Sequence, residues 1–475
     1  MAPIDRRKLL TGLAAVGGLV GAAGLGALVA RQRAGKRPPN LVLILTDDQG
    51  YNDVGCYFTA PDDTYAAIRT PHLDRMAAEG LRLSQFYVAA SVCTPSRAAL
   101  LTGCYPPRVG FGHKDGGLGV LHPRSVGGLA AEETTLAEVL RAAGYATACV
   151  GKWHLGHHPP FRPNNQGFDS FYGIPWSNNQ HPLPLVHNER TMRQLPDEPI
   201  LVKQFAQSAI NWMGRHRDEP FFLYLAFSAP HEPWAVAKDF RGRSERGLYG
   251  DVIENVDHHV GALLDALDAQ GLADDTLVVF TSDNGPWLHP EGGSAYPFRG
   301  GKADSWEGGV RSPCLWRWPG VLPAGAVNHE VVTALDILPT FAGLAGGPLP
   351  SLPIDGHDVW PVLTAGAPSP TEAFFYYARG RLEAVRKGRY KRMYAVALRN
   401  PPVPEALYDL ETDPGETTDV AEQHPDVVAD LDATAEAMRA RLGDALQGRR
   451  GSEERAVGIY APAVEAIQDK EPTQR

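Results

Sequence analysis

Four apolar runs set the strongest limit on how this chain can fold: LVLIL at Leu41–Leu45, ATACV at Ala146–Val150, FFLYLAF at Phe221–Phe227 and LVVFT at Leu277–Thr281. A strand with one wetted face alternates apolar and polar residues. A run with no charged position is covered on both faces, as the strands of parallel sheets are. Between the runs, amphipathic patterns predict helices over Pro71–Glu79, Thr135–Ala143, Leu201–Arg215 and Asp251–Gln270. The expected fold class is α/β: a large mixed, mostly parallel sheet flanked by helices, over residues 39–350. Around Pro348–Asp358 the texture turns to Pro, Gly and Asp. Beyond it, EAFFYYAR (372–379), LEAVRKGRYKRMY (382–394) and ALYDL (406–410) read as strands, and Pro425–Leu442 as a helix. Residues 351–475 are therefore expected to form a smaller C-terminal domain with a short antiparallel sheet, a helix, and a poorly ordered tail after Gly443.

Each apolar run delivers polar groups at its carboxyl end: Thr46-Asp47-Asp48, Gly151-Lys152-Trp153-His154, Ser228-Ala229-Pro230-His231 and Ser282-Asp283-Asn284. Open α/β sheets bind ligands there. A single Asp in such a place reads as a helix cap or an Asx-turn. Two adjacent carboxylates closing a buried strand call for a compensating cation. Asp47, Asp48, Asp283 and Asn284 offer hard oxygen ligands, which suit Ca²⁺ or Mg²⁺ better than zinc. Arg97, Lys152, His154, His231 and Lys302 supply the opposite charge and together could grip a tetrahedral anion, although each alone reads as an ordinary loop or surface residue. Cys93, in SVCTPSRAALLTG (91–103), sits in a turn ahead of the helical stretch Ala98–Thr102 and one turn from Arg97. A helix start beside an arginine is an electropositive spot that suits reactive chemistry.

A net charge of −10 over 475 residues argues against general nucleic-acid binding. Five cysteines at scattered positions give neither a zinc spacing nor a dense disulfide framework, and leave open whether Cys56, Cys104, Cys149 and Cys314 pair. At the N-terminus, Arg6-Arg7-Lys8 precedes an uncharged, Gly-rich run from Leu9 to Ala30, followed by Arg31, Arg33, Lys36 and Arg37. Residues 1–38 thus read as a twin-arginine export signal, which would place the protein in the periplasm or outside the cell. The alternative is a membrane anchor through residues 9–30.

CTPSR at 93–97 with AALLTG (98–103), and GYATACVGKWHLG (144–156), resemble the two signatures of type I, formylglycine-dependent sulfatases. The resemblance extends through TDDQGYND (46–53), GFDSFYGIPWSNNQ (167–180), SDNGP (282–286), RGGKADSWEGGVRSP (299–313) and LYDLETDPGE (407–416), and looks like the branch holding arylsulfatase A and N-acetylgalactosamine-6-sulfatase. It implies an alkaline-phosphatase-like fold and hydrolysis of an aryl sulfate or a sulfated sugar. It further implies that Cys93 is oxidised to formylglycine (3-oxoalanine) by a formylglycine-generating enzyme that reads Pro95 and Arg97, and that a hydrated aldehyde attacks sulfur. By the same resemblance Asp47, Asp48, Asp283, Asn284 and the modified Cys93 would bind Ca²⁺. Arg97 and Lys152 would stabilise the hydrate and the sulfate oxygens, and His154 would be the base that collapses the hemiacetal. Ser177, Lys152, His231 and Lys302 would bind substrate, the last two also protonating the departing alcohol.

Two other readings compete. A phosphonate monoester or phosphodiester hydrolase shares the formylglycine and the metal site. A noncatalytic binder of sulfated polymers would tolerate loss of the nucleophile or ligands, yet every one is present. The loops 111–128 and 287–298 match no specificity pattern, so the substrate is left open.

Overall fold

In the computed structural model the four apolar runs become four neighbouring parallel strands at the centre of a ten-stranded sheet. Thr276–Ser282, Asn40–Thr46, Phe221–Ala226 and Ala146–Lys152 lie side by side in that order, and Ser170–Ile174 adds a fifth parallel strand. All seven residues of Asn40–Thr46 are buried, which is what an apolar run between two helical layers requires. The structure describes residues 37–462 and 464, apart from 61, 63, 64, 113–118, 195–198, 398 and 400. The expected export or anchor segment lies outside the described residues except for Arg37 and Pro38. Among the described residues, no helix is long and apolar enough to cross a membrane.

The sheet is mixed at its margins. Pro184–His187 and Arg190–Gln194 close one side in antiparallel pairing; Cys314–Arg317, Leu81–Leu83 and Ala326–Asn328 close the other. These margins carry little local signal because they are short, and Arg190–Gln194 is exposed along its whole length. On one face Pro71–Ala78, Leu201–Arg215 and Gly247–Ala269 pack together over Val42, Ile44, Val150, Leu223, Leu225 and Phe280. On the other lie Cys93–Thr102, Leu136–Ala142 and Ile337–Ala345, with Phe341 meeting Phe222 and Trp316 edge-on. Leu201–Arg215 has the expected bounds, and the long helix begins a turn earlier than expected, at Gly247.

The second sheet is antiparallel throughout: Ala373–Ala378, Arg381–Lys387, Tyr390–Met393 and Ala406–Asp409. The expected single strand over 382–394 is in fact a hairpin. Gly388, at φ 58°, takes the left-handed conformation that turns the chain back on itself. Helix Pro425–Leu442 packs on its two middle strands.

The tail differs from expectation. Beyond Gly443 the chain is tied down through Ile459: the Arg455 guanidinium binds the Glu133 carboxylate at 2.7 Å, and Gly458–Ile459 pairs with Gly127–Gly128. Long-range polar partners, invisible in the local composition, order it.

A buried ionic cluster fastens the second sheet to Tyr87 and to the short helix Glu307–Val310. Glu307 accepts from Tyr87 at 2.5 Å and from Tyr376 at 2.7 Å, and Lys391 bridges it to Glu416 at 3.2 and 2.7 Å. Lys391, Glu307 and Glu416 are fully buried. Removing the cation would strand carboxylates in a dry site, a loss on the order of 3–5 kcal/mol. Lys391→Met is therefore expected to lower the midpoint of chemical denaturation far more than Lys387→Met, whose exposed partner is Asp430; equal midpoints would contradict the role of the cluster.

Candidate active site

The strand ends converge because the central strands run parallel and in register. Beyond them, Asp283 N donates to Thr46 O and Asp47 N donates to Ala229 O, each at 3.0 Å, which carries the alignment into the loops. Lys152 closes its own strand just after Gly151, whose φ of 116° and close approach to Ala226 O leave no room for a side chain. Asp48 at φ 65°, His154 at φ 62° and Ala303 at φ 71° hold left-handed backbone without being glycine. Such strain costs about 1–3 kcal/mol per residue and concentrates where function demands a geometry.

Arg97 lies at the centre. Its Nε donates to Asp283 Oδ2 at 2.9 Å, its Nη2 to Asp47 Oδ2 at 3.0 Å and its Nη1 to the carbonyl of Lys152 at 2.9 Å. The Lys152 ammonium also binds Asp47 Oδ2, and Ser177 Oγ at 3.1 Å. Arg97, Lys152, Asp47 and Asp283 are all buried. Burial alone would raise the Asp47 carboxyl, but Lys152 and Arg97 pull it well below the usual range. Burial and the charge of Asp47 push Asp283 up to about 7 against the pull of Arg97. On the other side of the cluster, Lys302 Nζ donates to Asp48 Oδ2 at 2.7 Å, His231 Nε2 lies 3.6 Å from the same oxygen, and Asn284 Nδ2 donates to Asp48 Oδ1 at 2.7 Å. Lys302 and His231 keep 15 % and 5 % side-chain exposure while Arg97 and Lys152 keep none, so the cluster opens towards the first pair.

The donor set fits a hard divalent cation. Ligand atoms of Asp47, Asp48 and His231 lie within 4.8 Å of one another. Asp47 Oδ1 and Asn284 Oδ1 are buried with no hydrogen-bond partner, and orphaned buried oxygens are rare unless something unseen satisfies them. The oxygens suit Ca²⁺ or Mg²⁺.

Cys93 is not in a loop ahead of the helix; it is the first residue of Cys93–Thr102 and is buried with the whole of that helix. Nor is its thiol activated. Burial raises its pKa, helped by Asp47 and Asp283 and only partly opposed by Lys152 and Lys302, because Arg97 spends its charge on the two carboxylates. All five cysteines are free. His154 Nε2 lies 2.8 Å from the carbonyl of Leu121. A carbonyl only accepts, so Nε2 carries the proton and Nδ1 keeps its lone pair, buried and unpartnered. Burial and Lys152 hold the ring well below its ordinary pKa, so it is neutral.

The sulfatase family profile matches residues 39–347, and the profile described as N-sulphoglucosamine sulphohydrolase, C-terminal, matches 302–441. The chain belongs to the sulfatase family. This sulfatase is 42 % identical to arylsulfatase A of Homo sapiens, covering 80 % of the chain and 83 % of that protein. It is 39 % identical to N-acetylgalactosamine-6-sulfatase of Canis lupus familiaris, covering 78 % and 74 %. Among solved structures, the PsFucS1 sulfatase from Pseudoalteromonas sp. superposes with a TM-score of 0.77 at 27 % identity, over 87 % of this chain and 92 % of that one. The chain is accordingly an enzyme that hydrolyses sulfate esters.

All eleven residues expected from the sequence fall in this one region, from six separate segments and the Lys302 loop. Others contribute without having been singled out. Ser96 Oγ donates to the carbonyl of Asp283, Asn178 Nδ2 donates to that of His231 at 3.2 Å, and Gln180 Nε2 donates to that of Leu121 at 3.0 Å. Their only sequence signal is membership of the motifs. Arg97→Met would leave two buried carboxylates unpaired and is expected to cost about 3–5 kcal/mol of stability. Lys302→Met is expected to cost less, because Asp48 keeps Asn284 and His231 beside it and Lys302 is the more exposed of the site cations. Denaturation midpoints check the contrast, and equal losses would contradict it.

Proposed function

We propose that this sulfatase cleaves an aryl sulfate or sulfated carbohydrate ester with formylglycine made from Cys93 as nucleophile, beside a bound divalent cation. The observation that carries the reading is the convergence of the buried Cys93, Lys152, His154 and an acidic cluster holding orphaned oxygens. Hydrated formylglycine would supply two hydroxyls on one carbon, one to take the sulfuryl group and one whose deprotonation releases sulfate as the aldehyde reforms. Ca²⁺, or Mg²⁺ on the same oxygens of Asp47, Asp48, Asp283, Asn284 and the modified residue 93, would orient the sulfate and favour ionisation of the attacking hydroxyl.

The protein's own groups do the remaining work. The N-terminus of helix Cys93–Thr102, with Lys152, Ser177, His231 and Lys302, binds the sulfate oxygens in a dry pocket where fixed charges act strongly. Arg97 holds the acidic residues and the Lys152 loop in place rather than facing solvent. His154 accepts a proton at Nδ1. His231 and Lys302, on the open side, stand where the alcohol leaves and would protonate it. Cys93, Thr94, Pro95, Ser96 and Arg97 are all buried, so a formylglycine-generating enzyme would have to act before the chain folds. Export by the twin-arginine route, or anchoring through residues 9–30, completes the reading.

A phosphonate monoester hydrolase of Agrobacterium radiobacter shares the fold at a TM-score of 0.61 and 21 % identity, which speaks for architecture alone. Mass spectrometry of the tryptic peptide Leu83–Arg97 from protein made in its own host is expected to find an aldehyde at position 93. An intact thiol in active enzyme would overturn the mechanism. Faster turnover of an aryl phosphodiester than of the matched aryl sulfate would favour the alternative. Chelation is expected to remove activity and to lower the melting temperature, both restored by Ca²⁺. His154→Ala is expected to lower kcat by roughly 100- to 10,000-fold, the range for losing a general base.

A further inference from the structure

Gln180 lies where two arms of the site meet. Its Nε2 donates to the carbonyl of Leu121 at 3.0 Å, the same carbonyl that takes the His154 Nε2–H at 2.8 Å. Its Oε1 accepts from the backbone N–H of Ser177 at 3.3 Å, and Ser177 Oγ takes the Lys152 ammonium at 3.1 Å. One amide orientation satisfies both contacts, since the oxygen must face an N–H and the nitrogen a carbonyl. Backbone bonds hold Gln180 in turn: its N–H donates to Ser177 O at 3.0 Å, and its carbonyl accepts from Trp176 Nε1 at 3.0 Å. Leu121 is held from its other side by Thr94 Oγ1, which accepts its N–H at 3.2 Å from within helix Cys93–Thr102. Leu121 is thus fixed at both its N–H and its carbonyl.

We propose that Gln180 is a positioning residue that, through the Leu121 carbonyl, locks His154 in the Nε2–H tautomer, leaving Nδ1 as the proton acceptor, and through Ser177 sets the Lys152 ammonium. The inference rests on the formylglycine reading for its kinetic part alone; the tautomer is a property of the protein whatever position 93 carries. A carbonyl is what selects the tautomer, because it can only accept. Two donors and a tethered N–H keep that carbonyl aimed, whereas an unbraced loop carbonyl could turn away and let the proton move to Nδ1. In that tautomer the lone pair would face the Leu121 loop, and a proton leaving a hydroxyl on residue 93, whose electron pair stays on that oxygen, would find no acceptor. Thr94 braces the same residue from the helix side, through its N–H, and shares the role.

The test combines a spectroscopic and a kinetic reading of Gln180→Met, which keeps the side-chain length and removes both contacts. Gln180→Glu keeps the acceptor facing Ser177 and loses the donor to Leu121, and Thr94→Val serves should Gln180→Met fail to fold. In ¹⁵N-histidine-labelled protein, with His154 assigned by difference from His154→Gln, the native enzyme is expected to show Nε2–H and a bare Nδ1. Gln180→Met and Gln180→Glu are expected to show a tautomer mixture. For an aryl sulfate, Gln180→Glu is expected to lower kcat by about tenfold with a matching fall in KM, because release of sulfate slows while sulfuryl transfer to the enzyme does not; Gln180→Met is expected to lower kcat as much without that fall in KM, because the Lys152 ammonium is loosened as well. Sulfated peptide 83–97 should then accumulate. An Nδ1–H tautomer in the native enzyme, or variants with native tautomer and kinetics, would overturn the proposal. A raised KM with kcat and tautomer unchanged would overturn the His154 half and leave the Ser177–Lys152 half. Absence of any aldehyde at position 93 would sink the formylglycine reading, while the nitrogen spectra would still decide the tautomer.

Discussion

Everything at the mouth of the sheet depends on one guanidinium. Arg97 binds Asp47, Asp283 and the carbonyl of Lys152, joining the ends of three strands of which only Thr276–Ser282 and Asn40–Thr46 are neighbours in the sheet. Burying these charges singly would be prohibitive; burying them as a mutually hydrogen-bonded set is tolerable. The planar fork of arginine suits the task, because it can donate in three directions at once, which a lysine ammonium on a flexible stem could not do with fixed geometry. The same pairing fixes the position of helix Cys93–Thr102, so Cys93 and the acidic cluster are set by one interaction.

From that anchor the site divides into an interior that is dry and an edge that is not. Lys152 and His154 are sealed, and the tautomer of His154 is fixed by its neighbours before any substrate arrives. Lys302 and His231 stand on the open side, where an alcohol can leave. The second sheet supports this edge from behind. Its Lys391 binds the Ser305 carbonyl at 2.8 Å and Glu307 at 3.2 Å, close along the chain to Lys302, so the small sheet steadies the loop that carries a site cation. The tail after Gly443 supports the opposite side by pairing with Gly127–Gly128, next to the loop that presents Leu121.

Much of this was legible in the residues. Apolar runs such as LVLIL marked the central strands because two-sided burial leaves no room for charge. The carboxylates after them stood out because paired acids at a buried strand end need a partner. Edge strands such as Arg190–Gln194 were not legible, since an exposed strand has no pattern to distinguish it from a loop. The hairpin at Gly388 was hidden in a continuous polar-apolar stretch, and the tail looked loose because its partners are Glu133 and Gly128, far away along the chain. The partners of Arg97 were not legible beside Cys93: its guanidinium is committed to Asp47 and Asp283, which lie far away along the chain.

The sequence by itself determined the layered α/β core, the residues that chemistry would require and the family to which they point, because burial pattern and functional-group type are properties of residues and their spacing. Only the tertiary structure decided which nitrogen of His154 holds the proton, that Gln180 spans two arms of the site, and that a buried lysine joins the second sheet to Glu307 and Glu416. Those are properties of hydrogen bonds between residues distant along the chain, and their geometry exists only once the backbone path is closed.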